Sequence, residues 1–303
     1  MKVVTYNIQW SKGRDGQLDL GRIARAVDGA DIIGLQEVEA GWKRSGGIDQ
    51  AEALGALLPN YFRVYGPGFD VEASRVRPDG AIEHRRRRFG NMILAKGPIL
   101  SCRVFPLPKI DVRALGTMQT AVVEGVVQLG ARAIRVYCVH LDDVLARERH
   151  LQIAALRRIL DEAPPQGGMM TGTAPPNDPY LDEDWHNGEP QTPMPASAIV
   201  MGDFNAPPAT TEYDALIGPS DPRQGRVVTP DFLVDTMTAS GHPEDCGATW
   251  HPYANRSSEA PKRIDYVFVT ADLAGSVRRA WIDHEAQGSD HLPVWAEIDD
   301  QGV

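Results

Sequence analysis

The chain has only three cysteines, Cys102, Cys138 and Cys246, odd in number and far apart. That excludes a disulfide framework and a CxxC-type zinc site, and it fits a reducing compartment. Cys138 lies inside an apolar run and is expected as a buried free thiol. Long hydrophobic stretches are also missing, since no run of about 18 apolar residues marks a membrane span. Met1-Lys2 leads straight into Val3-Val4-Thr5-Tyr6, which leaves no room for a signal peptide, so the cytoplasm is the expected location. Nor is there an excess of positive charge. The 31 basic and 41 acidic residues give a formal net charge of −10, which argues against a broad nucleic-acid-coating surface but leaves room for a local basic groove. No internal repeat at a solenoid period is visible.

What is present reads as an ordinary globular composition, 42% hydrophobic and 24% charged over 303 residues, enough for a substantial core. Length alone permits two domains or one large α/β domain. Val3 to Ile8 reads as a strand. Leu18 to Val27 has helical spacing, with Leu20, Ile23 and Val27 on one face, and Asp31 to Leu35 returns as a second buried strand, giving an α/β unit. Ala51 to Leu58 reads as a short helix stopped by Pro59. Residues 66–89, rich in Gly, Arg and Asp, read as a long loop. Asn91–Ala95, Ser101–Phe105, Thr120–Gln128 and Ala133–His140 follow as consecutive, antiparallel strands. Val144–Leu160 is a helix with Leu145, Ala155, Leu156 and Ile159 inward and Arg147, Glu148, Arg157 and Arg158 outward. Residues 163–197 form a Pro-, Gly- and acid-rich stretch, read as a loop insertion that serves as a lid or binding loop or stays disordered. Strands at 198–202, 264–270 and 293–298 complete the pattern.

Three of these apolar runs border short polar motifs: Gly202-Asp203-Phe204-Asn205, Arg263-Ile264-Asp265 and Ser289-Asp290-His291. A buried strand that ends in acids and amides delivers those side chains to a cleft. Oxygen ligands of this kind suit a hard cation. Glu37 also follows a buried strand, where an ionised carboxylate needs a partner. Taken alone, Glu37 also fits a helix cap or a surface ion pair, Asn7 a local turn, and Asp203 with Asn205 an Asx turn.

Thr5-Tyr6-Asn7-Ile8, Gln36-Glu37, Gly90-Asn91, Val139-His140-Leu141, Gly202-Asp203-Phe204-Asn205, Arg263-Ile264-Asp265-Tyr266 and Ser289-Asp290-His291 together resemble the endonuclease/exonuclease/phosphatase superfamily, in order and spacing, from residue 3 to residue 298. The resemblance implies a four-layered α/β sandwich of two packed mixed β-sheets flanked by helices, with 1–303 as a single domain. It implies divalent-metal-dependent cleavage of phosphoesters, with Mg²⁺ or Mn²⁺ as cofactor, and it also implies roles. Glu37 is the principal metal ligand, with Asn7 and Asp290 contributing directly or through water. Asp203 aligns or deprotonates the attacking water, and Asn205 holds a phosphate oxygen. His291 stabilises the phosphoryl oxygens, oriented by Asp265, and His140 is a second group beside the phosphate. Asn91 shapes the substrate cleft. Many relatives carry an arginine near Thr120. Here Gly116-Thr117-Met118-Gln119 has none, so Arg113 is the expected substitute for gripping substrate.

The His-Leu form at 140–141 looks more like the sphingomyelinase, inositol-phosphatase and general phosphodiesterase branches than the DNA-repair branch. The leading expectation is therefore a metal-dependent phosphodiesterase or phosphatase acting on a small or lipid-linked phosphate, a monomer by default. A DNA endonuclease or exonuclease of the same superfamily is the runner-up, so nucleic acid is a possible but not favoured partner. A non-catalytic binding module is the alternative of another class. Arg85-Arg86-Arg87-Arg88 is the only dense basic run, suited to a polyanion such as DNA, a polyphosphorylated inositol or an anionic membrane, or else a solvated loop. Trp10, Trp42, Trp185 and Trp250 are candidates for stacking on a ligand, with core packing the commoner fate.

Overall fold

The structure is a computed structural model, and it describes residues 1–112, 116–172, 177, 179, 191–221, 223–227, 229–253 and 258–299. In chain order the elements are β1 (Lys2–Asn7), α1 (Leu20–Val27), β2 (Ile32–Ala40), α2 (Gln50–Leu57), β3 (Phe62–Glu72), β4 (Arg75–Val76), β5 (Ile82–Glu83), β6 (Arg86–Ala95), β7 (Ile99–Pro106), β8 (Ala121–Leu129) and β9 (Arg132–His140). They continue with α3 (Ala146–Gln166), β10 (Ala198–Asp203), α4 (Thr211–Ile217), β11 (Ser220–Asp221), β12 (Gly225–Arg226), β13 (Val234–Asp235), α5 (Thr236–Ala239), β14 (Asp265–Val269), β15 (Val277–Ile282) and β16 (Val294–Ile298).

Two six-stranded mixed sheets result, ordered β15-β16-β1-β2-β6-β3 and β13-β14-β10-β9-β8-β7. The inner strands are apolar on both faces because both faces are covered. In β1, Val3 joins Ile32, Ile93, Val123, Ile199 and Val267 in a core between the sheets. Its neighbour Val4 points the other way, packing with Ile23, Val27 and Leu54 of α1 and α2. On the far side, Val200 and Phe268 pack against Leu156 of α3 and Tyr213 of α4. The period-two alternation of a strand thus builds a helix–sheet–sheet–helix sandwich, as expected.

Local chemistry fixes the helix ends. Asp19 and Asp49 accept from the first free N–H groups of α1 and α2, and Thr210 does so for α4. α3 runs past the expected stop at Leu160 to Gln166, with Pro164 and Pro165 inside its last turn. The missing N–H of Pro164 frees the Leu160 carbonyl, and Arg135 Nη1 donates to it at 2.8 Å. Glu148 is buried rather than outward, because its Oε2 accepts from Ile110 N at 2.7 Å.

Three further expectations are corrected. Residues 66–89 are not a loop. β3 and β6 pair from Phe62↔Ala95 to Glu72↔Arg86, carrying an arm beyond the sheet that β4 and β5 extend. As an edge strand β3 is exposed along much of its length, so it has no apolar face to announce it, and cross-strand pairs such as Arg86–Asp70 hold it instead. Asn91–Ala95 belongs to β6 of the first sheet and not with β7–β9 of the second. β15, whose residues alternate buried and exposed only in part, was absent from the expected strands. Within 163–197, the residues 173–176, 178 and 180–190, Trp185 among them, lie outside the described residues. No helix among the described residues is long and apolar enough to cross a membrane.

Candidate active site

β1 and β2 are parallel, as are β9 and β10, while β14 and β16 run antiparallel to their partners. The last residues of β1, β9 and β10 therefore meet the first residue of β14 and the segment entering β16 at one end of the sandwich. Asp203 pairs in register with His140 on one side and Asp265 on the other. Gly202 makes this possible: a Cβ there would lie 1.9 Å from the Val139 carbonyl.

The backbone is bent to aim the side chains. The β2–β6 register slips between Leu35 and Val38, a bulge that leaves Glu37 at φ +60. Asn205 stands at φ +49, and Gln9, Trp10 and Ser11 follow one another at φ 40, 44 and 66. Five non-glycine residues with left-handed backbone around one cleft indicate strain held by surrounding contacts. Those contacts are visible at Gln9, whose Nε2 donates to Asp290 Oδ2 at 2.7 Å and whose Oε1 accepts from Tyr253 at 2.6 Å. Gln50 Nε2 donates to the Trp10 carbonyl at 2.9 Å.

The polar side chains converge on an open cleft of about 520 Å³ lined by Glu37, His140, Asp203, Asn205, Asp290 and His291 among others. Asn7 Nδ2 donates to Glu37 Oε1 at 3.1 Å and to Asp203 Oδ2 at 2.9 Å, while its Oδ1 accepts from Gln9 N at 3.0 Å. In this arrangement Asn7 ties two carboxylates together through its nitrogen. His291 Nδ1 lies 2.9 Å from Asp265 Oδ2, and its Nε2 is 3.8 Å from Asp203 Oδ2. His140 Nε2 approaches the same oxygen at 3.7 Å. Asn205 N donates to Asp203 Oδ1 at 3.0 Å, and Asn205 Nδ2 donates to Leu141 O at 3.0 Å.

Burial sets the charges. It raises the Glu37 carboxyl, against the pull of His140, His291 and the Asn7 amide. It raises Asp203 to about 7, with the Asp265 charge adding to it. Asp290 is also raised by burial, opposed by His291. For the two imidazoles, burial disfavours the cation in both, but the outcomes diverge. Burial prevails at His140, which is lowered. At His291 it is overcome by the charge and hydrogen bond of Asp265, then by Asp203 and Asp290, and the pKa rises to about 10. Two histidines with opposed shifts supply one neutral and one charged donor at neutral pH.

Glu37 Oε2, Asp265 Oδ1 and His140 Nδ1 are shielded from solvent without a hydrogen-bond partner among the described residues. An orphaned buried carboxylate oxygen is costly unless something charged occupies it. Glu37 faces the cleft and Asp265 does not, so the donor set at Glu37 fits a divalent cation. Asp203, Asp265 and His291 also bring ligand atoms within 4.8 Å of one another, but the Asp265–His291 hydrogen bond already engages two of them.

Of the residues singled out by sequence, Asn7, Glu37, His140, Asp203, Asn205, Asp265, Asp290 and His291 are brought together. Asn91 is not. Its Nδ2 donates to Ala121 O at 2.7 Å and to Cys138 O at 3.2 Å, so its amide links the two sheets beneath the cleft. Arg113 lies outside the described residues. Two supports were missed. Gln9 anchors Asp290, and Thr249 Oγ1 donates to Asp265 Oδ2 at 2.6 Å while accepting from Ile264 N and Asp265 N, both at 3.0 Å. Neutral residues away from a strand end give no such signal, although Thr249 stands directly before Trp250, which does line the cleft.

The endonuclease/exonuclease/phosphatase family model matches residues 4–291, and the chain belongs to that family. No curated protein matches it in sequence. Among solved structures it is similar to an endonuclease/exonuclease/phosphatase from Bacteroides vulgatus, with 18% identity, TM-score 0.64 and 98% of each chain covered. It is also similar to a mannosyl-6-phosphatase from Bacteroides thetaiotaomicron, with 16% identity, TM-score 0.60 and 99% of each chain covered. A third is a 3′ phosphatase from Neisseria bound to a product DNA hairpin, with 18% identity, TM-score 0.58 and 99% of each chain covered. At these identities the likeness speaks to the fold. Phosphoester hydrolysis is the activity of the family.

Proposed function

We propose that the chain is a divalent-metal-dependent phosphodiesterase or phosphatase acting on a small or lipid-linked phosphate, as one domain. The observation that carries this is the shielded, unpartnered Oε2 of Glu37 facing a cleft shared with Asp203, His140 and His291. Glu37 and Asp290 would hold Mg²⁺ or Mn²⁺, with Asn7 fixing Glu37 against Asp203. When bound, such a cation offsets the charge that builds on the phosphoryl group and leaving oxygen. Asp203, near 7, takes the proton of the attacking water, a role worth on the order of 10²–10⁴-fold. His291 donates from Nε2 as an imidazolium, since Asp265 engages Nδ1. His140 offers a neutral donor beside it. Asn205, anchored to Leu141, keeps its second amide hydrogen for a phosphate oxygen.

The charge around the cleft supports a small substrate. Arg44 is paired with Glu39, Arg149 with Glu212 and Lys262 with Glu259, while Asp142 and Asp143 also line the cleft. Little uncompensated positive charge is left to track a duplex. DNA cleavage is the second reading, prompted by the Neisseria neighbour and its DNA hairpin. A silent binding module is disfavoured by the presence of Glu37, Asp203, Asn205, Asp265 and His291 together.

Hydrolysis of bis-p-nitrophenyl phosphate, p-nitrophenyl phosphate and abasic duplex DNA tests this, each with Mg²⁺, Mn²⁺ or EDTA. Metal-dependent turnover of a small ester that Asp203→Ala and His291→Ala both abolish is expected. Incision of DNA without small-ester turnover would favour the nuclease instead.

A further inference from the structure

The run Arg85–Arg88 takes no part in the cleft apart from its place next to Phe89, yet the fold gives it a cavity of its own. Beyond the first sheet the β3–β6 arm leans over the end of β2, enclosing a groove of about 450 Å³. Arg75, Arg85, Arg86, Arg87 and Arg88 line it. Its single acid, Asp49, is spent capping α2. Gly41 stands at φ +75, and a Cβ there would lie 2.3 Å from the Arg86 carbonyl. The end of β2 therefore presses directly on the backbone that carries the arginines.

The guanidiniums are unevenly satisfied. Arg86 meets Asp70 at 2.7 Å, Arg85 pairs with Glu83, and Arg88 is 3.7 Å from Asp70. Arg75 and Arg87 have no acidic partner among the described residues. Arg87 sits 5.9 Å from the Trp42 ring, whose indole N–H donates to Arg88 O at 2.8 Å. In a chain of net charge −10, Asp70, Glu72 and Glu83 offset Arg85, Arg86 and Arg88, which leaves Arg75 and Arg87 as uncompensated cations on the groove, a Coulomb cost that an anion would relieve. Guanidinium forks match phosphate oxygens two at a time. One phosphate would engage two forks, which Arg75 and Arg87 supply, and the exposed pairs of Arg85, Arg86 and Arg88 are weak enough for a further phosphate to displace their carboxylates.

We propose that this groove is a second ligand site, separate from the catalytic cleft, that binds a multiply phosphorylated group. The group is either a soluble polyphosphate-type anion or the headgroup of a phosphorylated lipid. Val76 and Ile82, paired at the tip of the arm and 74% and 57% exposed, would meet the bilayer in the second case. The site does not depend on hydrolysis.

The test is calorimetric titration of the full chain with inorganic tripolyphosphate in metal-free buffer, where the acidic cleft repels anions. Wild type and Asp203→Ala should bind alike. The double variant Arg75→Ala/Arg87→Ala, changed at exposed positions, should bind about tenfold more weakly or worse. No binding, or equal binding by the double variant, overturns the proposal. So does retention of a single-stranded oligonucleotide that the double variant loses while tripolyphosphate is not bound, which would mark a nucleic-acid surface. Phosphatidylcholine vesicles doped with a phosphoinositide then assign the source. If they capture wild type and tripolyphosphate displaces it, the ligand is a lipid headgroup. If they fail to capture a protein that binds tripolyphosphate, it is a soluble anion. Either result upholds the site.

Discussion

Replacing Asp265 by Asn removes the charge that keeps His291 protonated while keeping the shape of the side chain. The imidazole stands at about 10 against an ordinary value of 6.5, with burial opposing the cation and Asp265 the strongest of the groups that favour it. A carboxylate in direct contact is worth roughly 1–3 pKa units. Loss of that charge in the buried setting should bring His291 down toward neutrality, since only Asp203 and Asp290 remain to support it. The sign follows from the raised value. The stabilisation of the folded state by charged His291 is fully present below about 6.5 and is lost as pH rises through about 10. The variant should therefore be less stable than wild type at neutral pH, with the gap closing above about 10. The same shift should appear in catalysis. Wild-type activity should rise as Asp203 deprotonates near 7 and hold well into the alkaline range, whereas Asp265→Asn should lose its alkaline limb at much lower pH. A pH–rate profile, with an NMR titration of the imidazole alongside, reads both. A lower rate with an unmoved alkaline limb would refute the electrostatic role and leave Asp265 as packing alone.

Three other outcomes are expected. Arg263 and Asp235 form a fully buried pair at 2.8 Å, so Arg263→Met should cost about 3–5 kcal/mol in denaturant unfolding, and a loss below about 1 kcal/mol would contradict the assignment. Thr249→Val leaves Asp265 short of a donor and strands two backbone N–H groups, which should cost roughly 2–4 kcal/mol by the same measurement. In metal-free protein the raised carboxyl of Asp203 stabilises the fold at acid pH and loses that contribution as pH rises through about 7. Asp203→Asn should thus gain in Tm relative to wild type between pH 5 and pH 8, and a constant difference would count against the shift.

Much of the site could be read from sequence because strands buried on both faces are continuous apolar runs. The acid or amide at the end of such a run has no structural reason to be there, as at Asp203 and Glu37. The bulge at Glu37 could not be read, since it arises from pairing with β6 and leaves no local mark. Gln9 and Thr249 escaped because they act through hydrogen bonds to acids distant in the chain. The arm within 66–89 reads as a loop because an exposed edge strand such as β3 lacks a buried face. Asn91 was legible as a motif, but not the partners of its amide, which reaches carbonyls on both β8 and β9.

The most direct measurement is turnover of bis-p-nitrophenyl phosphate against Mn²⁺ concentration in wild type and Glu37→Gln. Wild type should be inactive without metal and saturate as metal is added. Glu37→Gln should need far more Mn²⁺ or fail to turn over, its fold retained by circular dichroism. Equal metal dependence in the two proteins would contradict the placement of the cation at Glu37 and, with it, the account of the cleft.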